Sequence, residues 1–366
     1  MMEGLPKFNI GENEINLIQG GMGVGVSAKN LASAVADCGG AGIIASVGLG
    51  LLKGYPGTYA QANQDALRDE IRAARSMTDG VIGVNILYAL TDFESMVQTS
   101  VDEGVDLIIT GAGIAKDLPR QVGGSDVALV PIVSNARVSR IITKAWAKYD
   151  KVPDAFIVEG PKAGGHLGYG YDDLVNGTAP SLEELAHDVI GYANDPAHFE
   201  SPVPVVVAGG VYTGSDIAYY REMGAAGVQM ATRFVTTYEC DADRRFKEQY
   251  LGATEDDLRI IRSPVGMPGR AVNNPFLEGV SKGEGSKFSC RYKCLKTCKP
   301  KESPYCIAKA LVGAQKGDFS EGFAFAGSNA YRSTEESCLD EDGEFITVKT
   351  LMQRISDEYH GRPWTQ

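Results

Sequence analysis

The chain has 366 residues and a formal net charge of −12, with 35 Lys and Arg against 47 Asp and Glu. Its basic residues are scattered, which argues against electrostatic binding to nucleic acid or anionic lipid and leaves a small-molecule substrate as the expected partner. The longest apolar runs, such as residues 204–211, are strand-sized, and no basic region followed by a long apolar stretch opens the sequence, so the expected setting is cytoplasmic, without a membrane partner.

In chain order, short β-branched runs alternate with amphipathic stretches, the pattern of repeated βα units around a parallel sheet buried on both faces. Eight strands are predicted, over residues 16–22, 42–47, 81–87, 107–110, 128–133, 155–158, 204–208 and 227–231. Helices are predicted between them over 27–38, 64–77, 93–103, 138–149, 182–192 and 215–223, with 242–251 closing the ring. An open doubly wound sheet would normally stop at about five or six strands and carry its phosphate glycines after the first. Eight runs with the stronger glycine signals late in the chain predict an α/β fold, a (β/α)8 TIM barrel, over residues 1–262. Residues 263–366 form a C-terminal cysteine-containing extension. Pro264, Gly266, Pro268 and Gly269 mark an irregular segment folding back over the barrel mouth, and two further helices are expected over 305–316 and 348–359. The insertion at 51–63 fits either a pocket wall or a dimer interface, and a homodimer is left open.

In such a barrel the carboxyl ends of the strands converge on one face, and the loops after strands seven and eight frequently bind phosphate. Strand seven ends in Ala208-Gly209-Gly210-Val211, followed by Thr213-Gly214-Ser215 at the start of a helix. Bare backbone N–H groups and a helix N-terminus there suit an anion. Strand eight runs Gly227-Val228-Gln229-Met230-Ala231-Thr232, where Thr232 adds a hydroxyl. Gly20-Gly21-Met22-Gly23 after strand one and Gly111-Ala112-Gly113 after strand four suit a flat ring pressed against backbone. Asn85 on strand three is a candidate donor to the edge of that ring, or a buried amide bonded only to backbone. Strand six ends in Glu159-Gly160-Pro161-Lys162-Ala163-Gly164-Gly165-His166. Of the four histidines only His166 sits in a glycine-rich strand-end loop, where an imidazole binds an anion or moves a proton.

Together, Gln19-Gly20-Gly21-Met22-Gly23, Gly83-Val84-Asn85, Lys162-Ala163-Gly164-Gly165-His166, Val207-Ala208-Gly209-Gly210-Val211 and Gly224 to Phe234 resemble the nitronate monooxygenases, formerly 2-nitropropane dioxygenases, and the related FMN-dependent enoyl-ACP reductases. The resemblance covers residues 16–274. It implies FMN held by Gly21, Met22, Gly23, Asn85, Gly165, Gly209, Gly210, Gln229, Met230 and Thr232, with His166 catalytic and facing the flavin. The family often has Ala-Pro where this chain has Gly20-Gly21, and Gly where it has Ala231. Residues 266–274 resemble the reductase branch instead.

Seven cysteines without an export signal argue against a disulfide framework. Cys290, Cys294, Cys298 and Cys306 follow a C-x3-C-x3-C-x7-C spacing that suits a zinc ion or an iron–sulfur cluster, disulfides and free thiols being the alternatives. Lys293, Lys296, Lys299 and Lys301 would offset thiolate charge. Three functions follow as expectations: oxidation of alkyl nitronates with dioxygen, an NAD(P)H-dependent ene, enoyl-ACP or quinone reductase, and a noncatalytic flavin- or phosphate-binding barrel.

Overall fold

The computed structural model describes residues 4–285 and 287–362; the ends of the expected barrel and extension, residues 1–3 and 363–366, lie outside the described residues. Eight parallel strands form one sheet: β1 (Ile18–Gln19), β2 (Gly42–Ala45), β3 (Ile82–Leu87), β4 (Leu107–Gly111), β5 (Ala128–Val133), β6 (Phe156–Glu159), β7 (Val205–Ala208) and β8 (Gly227–Met230). Each pairs in parallel with the next, β8 pairs with β1, and a parallel bridge between Ile18 and Ala41 closes the ring between β1 and β2. This is the expected barrel. The period-two alternation of its strands divides two cores. Ile43, Ile109, Val130, Ile157 and Val206 fill the interior, while Ile44, Val84, Leu129, Val158 and Val207 face the helices.

The crossover helices begin where the side chains can cap them. Asn135 accepts from Val138 N–H, and Ser181 forms a capping box with Glu184. The helix expected from residue 64 starts earlier, at Tyr59, because Thr58 accepts from Gln61 N–H and Leu49–Lys53 makes a short helix before it.

Two features close the barrel ends. At the amino end, an antiparallel hairpin of Phe8–Ile10 and Asn13–Ile15 drives Phe8, Ile10 and Ile15 into the interior core. Gly227 makes room for it, since a Cβ there would lie 2.1 Å from Phe8 Cε1. At the carboxyl end, Leu258–Arg262, Pro268–Val272 and the two-residue strand Gly165–His166 form an antiparallel sheet over the mouth. The segment expected to be irregular thus contains a regular strand, Pro268–Val272, paired on both sides.

The expected late helices are Ile307–Gln315 and Val348–Tyr359. The second lies against the helix Gly214–Glu222 so closely that a Cβ on Gly214 would meet Ile355 O at 2.1 Å and Tyr359 N at 2.2 Å. Both are backbone atoms and cannot swing aside. Gly214→Ala should therefore destabilise the fold by about 1–3 kcal/mol, measured as a lower urea midpoint. An unchanged midpoint would mean that the two helices are not held at this distance. Among the described residues no helix is long and apolar enough to cross a membrane.

Candidate functional site

The strand ends open into one cavity of about 260 Å3, lined by Gly20–Gly23, Asn85, Gly111, Glu159, Lys162, Gly165, His166, Gly209, Gly210, Gln229 and Thr232. Nearly every residue singled out for the flavin reaches it. Met230 is the exception: its side chain is buried in the core between sheet and helices, and its carbonyl accepts Gly20 N–H at 2.8 Å. Met230 thereby ties the end of β1 to β8, and its side chain does not line the cavity.

The walls fit a flat ring and a phosphate. A Cβ on Gly21 would lie 2.5 Å from Asn85 Cβ, and a Cβ on Gly209 would lie 2.8 Å from Gly160 O, so bare backbone is required at both. Gly209 and Gly210 also take φ of +89° and +111°, open to glycine at little cost. Gln229 Oε1 is buried without a hydrogen-bond partner, a state proteins rarely leave unmet, and a ring N–H would satisfy it. A Cβ on Gly20 would lie 3.3 Å from Ala231 Cβ, so bare backbone at residue 20 leaves room for the Ala231 methyl.

The extension lines the Gly209–Gly210 end of this cavity. Gly327 N–H donates to Thr232 Oγ1 at 3.1 Å, Asn329 Nδ2 donates to Gly210 O at 2.6 Å, and Ser328 N–H donates to Lys162 O at 3.0 Å. Ser328 Oγ is buried with no partner. These residues were not identifiable from the sequence. One expectation is corrected: the N-terminus of the helix Gly214–Glu222 is not open to an anion. Gly214 N–H donates to Glu358 Oε2 at 2.8 Å, while Tyr212 and Thr213 N–H donate to Asp216. Arg233 closes the arrangement with a bidentate pair to Glu358 at 2.6 and 2.8 Å.

His166 is half-buried. Its Nε2 lies 2.7 Å from Ser263 Oγ, which also accepts from Val265 N–H, and the Phe325 ring stands edge-on 4.9 Å away. The loop that carries it is braced by Arg270, whose Nη1 donates to Pro161 O and Ala163 O. Ser263, Phe325 and Arg270 were missed as site residues. Arg270, the one cation in an otherwise uncharged run from 263 to 277, was the available signal.

Burial holds the His166 imidazole down to about 4, so it is neutral near pH 7, and pushes the Glu159 carboxyl up to about 8. The folded chain keeps the Glu159 proton between 4.5 and 8 where the unfolded chain has released it, so stability falls as pH rises through that window. His166 acts with the opposite sign: only the unfolded chain binds its proton between 6.5 and 4, so stability falls as pH drops there. Glu159→Gln should flatten the decline in urea midpoint on the alkaline side, between about pH 6.5 and 8. A variant that declines as steeply as the parent would show that Glu159 ionises normally.

Of the four clustered cysteines, Cys294 alone lines the cavity. All seven cysteines are free thiols. Among the described residues no group of three or more His, Cys, Asp or Glu is placed to hold a metal ion, so neither the zinc ion nor the iron–sulfur cluster suggested by the spacing has a formed site.

The sequence profile of the nitronate monooxygenase family matches residues 7–342. A (3aS,4S,5R,7aS)-5-hydroxy-7a-methyl-1-oxo-octahydro-1H-indene-4-carboxyl-CoA dehydrogenase of Rhodococcus jostii (strain RHA1) is 28% identical over 72% of the chain. Its counterpart in Mycobacterium tuberculosis (strain ATCC 25618 / H37Rv) is 28% identical over 74%. The matches span 64% and 66% of those relatives' own lengths. A probable nitronate monooxygenase of Staphylococcus aureus (strain JH9) is 25% identical over 74% of the chain and 79% of its own length. Among solved structures, FabK from Thermotoga maritima superposes with a TM-score of 0.72 at 26% identity, covering 96% of this chain and 94% of its own. Nitroalkane oxidase from Streptomyces ansochromogenes shares the fold, with a TM-score of 0.71 at 20% identity, covering 95% and 96%.

Proposed function

The chain belongs to the nitronate monooxygenase family, and on that footing we propose that it is an FMN-dependent oxidoreductase whose His166 holds an oxygen of the substrate against the flavin. The observation that carries this reading is a cavity at the strand ends whose lining brings His166 together with the bare backbone of Gly20, Gly21, Gly209 and Gly210. FMN would be held by Gly21, Met22, Gly23, Asn85, Gly165 and Gln229 around its ring, and by Gly209, Gly210 and Thr232 at its phosphate. When bound, it supplies a two-electron acceptor and donor.

Ser263 engages Nε2 of His166, so Nδ1 is the nitrogen offered to a substrate oxygen, and the neutral ring serves as a hydrogen-bond partner without a buried charge to desolvate. A nitronate arrives already deprotonated and needs no base from the protein, only an oriented contact at its oxygen. Oxidation of an alkyl nitronate, with dioxygen as the terminal acceptor, is the reading that family membership favours. The second reading is NAD(P)H-dependent reduction of an enoyl, ene or quinone substrate. It is favoured by the apolar wall that Leu295, Ile307, Leu311 and Phe323 build on one side of the cavity, large enough to bury a hydrocarbon body beside an activated double bond.

Anaerobic absorption spectra separate the two. Bleaching of the flavin bands by a nitronate but not by NADH or NADPH is expected for the first reading; bleaching by a nicotinamide establishes the second. His166→Ala should lower the rate of bleaching by the active reductant on the order of a hundredfold or more while leaving flavin content unchanged. A variant that is reduced as fast as the parent would remove His166 from the reaction.

A further inference from the structure

The loop after β6, residues 160–163, is held at every peptide. Gly160 O accepts Ala163 N–H at 3.2 Å, Pro161 O and Ala163 O accept Arg270 Nη1 at 2.6 and 3.0 Å, and Lys162 O accepts Ser328 N–H at 3.0 Å. From this pinned backbone extends the side chain of Lys162, the one Lys or Arg in the lining of the cavity. Its stem lies along Gly210: a Cβ there would be 3.1 Å from Lys162 Cβ and 3.4 Å from Lys162 Cδ. Among the described residues no hydrogen bond or ion pair engages the Lys162 ammonium.

The wall beside it is made of donors. Asn329 Nδ2 donates to Gly210 O at 2.6 Å and fixes that peptide, while among the described residues the N–H groups of Gly210 and Val211 meet no acceptor. Thr232 Oγ1 accepts Gly327 N–H at 3.1 Å, so its own proton is left to give. Successive backbone N–H groups, a hydroxyl and an ammonium with no anion among them suit a phosphate. The nearby guanidinium of Arg233 is already committed to Glu358.

We propose that Lys162 binds the phosphate of the flavin, reaching it from the β6 loop while Gly209, Gly210 and Thr232 hold it from the ends of β7 and β8. The inference rests on the FMN reading above and adds to it the charged partner of the phosphate. A phosphate monoester carries close to two negative charges near neutral pH, and His166, neutral there, offers none in return. The chain as a whole carries a formal charge of −12 and adds no attraction of its own. Because the loop and the stem of Lys162 are placed in advance, only its outer methylenes lose freedom when the ammonium meets the anion.

Equilibrium titration of the full chain, stripped of flavin, with FMN and with riboflavin separates the phosphate from the ring. The parent should bind FMN more tightly than riboflavin. Lys162→Met keeps a stem over Gly210 and removes the charge; it should weaken FMN roughly tenfold to a hundredfold, the range of a hydrogen bond to a charged group, and leave riboflavin affinity and the urea midpoint unchanged. Lys162→Arg should recover most of the loss. Added salt should weaken FMN more steeply in the parent than in Lys162→Met. A Lys162→Met chain that prefers FMN as strongly as the parent would overturn the assignment and leave the flavin reading intact, with the glycines and Thr232 as the whole phosphate site. Equal losses for FMN and riboflavin would also overturn it, since they make Lys162 a support of the ring or of the fold. A parent with no affinity for either flavin would remove the reading on which the proposal rests.

Discussion

The site depends on a half-buried guanidinium. Arg270 lies on a strand of the extension and reaches back into the barrel, donating to the carbonyls of Pro161 and Ala163. These carbonyls belong to the loop that carries His166, and His166 itself is paired in register with Gly269, next to Arg270. Desolvating a cation costs free energy unless acceptors meet it, and these two carbonyls meet the half-buried Arg270, so the loop conformation and the fold-back of the extension stabilise each other. Neither the barrel nor the extension positions the imidazole alone. The barrel supplies Gly165–His166 and the extension supplies Ser263, Phe325 and the strand against which the dipeptide is laid.

The same enclosure sets the protonation of the two groups at the cavity. Burial disfavours charge on both, so His166 stays neutral on the acid side of its usual range and Glu159 keeps its proton into the alkaline range. The imidazole and the carboxyl thus sit largely neutral beside leucine and phenylalanine walls, with Lys162 the charged side chain in the lining. The acidic net charge of the chain thus describes its outer surface and says little about its reactive interior.

Much of this was readable in advance. The eight barrel strands follow from β-branched runs at even spacing, because a parallel sheet buried on both faces demands them. The glycines at Gly209 and Gly210 were readable because few other residues take their φ values. What escaped was set by distant partners. The helix starting at Gly214 looked open to an anion from its own sequence, but Glu358, 144 residues on, already occupies it. Ser263, Ser328 and Asn329 come from irregular chain, where no periodicity reports direction. Met230 was grouped with its neighbours in a motif, although the alternation of a strand turns its side chain to the opposite face from Gln229. The hairpin of Phe8–Ile10 and Asn13–Ile15 has strands of three residues, too short to give a pattern.

The gap between Gly20 and Ala231 couples two positions that are far apart in the chain. A Cβ on Gly20 would sit 3.3 Å from Ala231 Cβ and equally close to the Gln229 side chain, a contact tighter than packed side chains normally make. Residue 20 can therefore gain a methyl only if β8 gives way by a few tenths of an ångström, so the end of the first strand and the end of the last share one space at the cavity wall, and the effect of a change at either depends on what stands at the other.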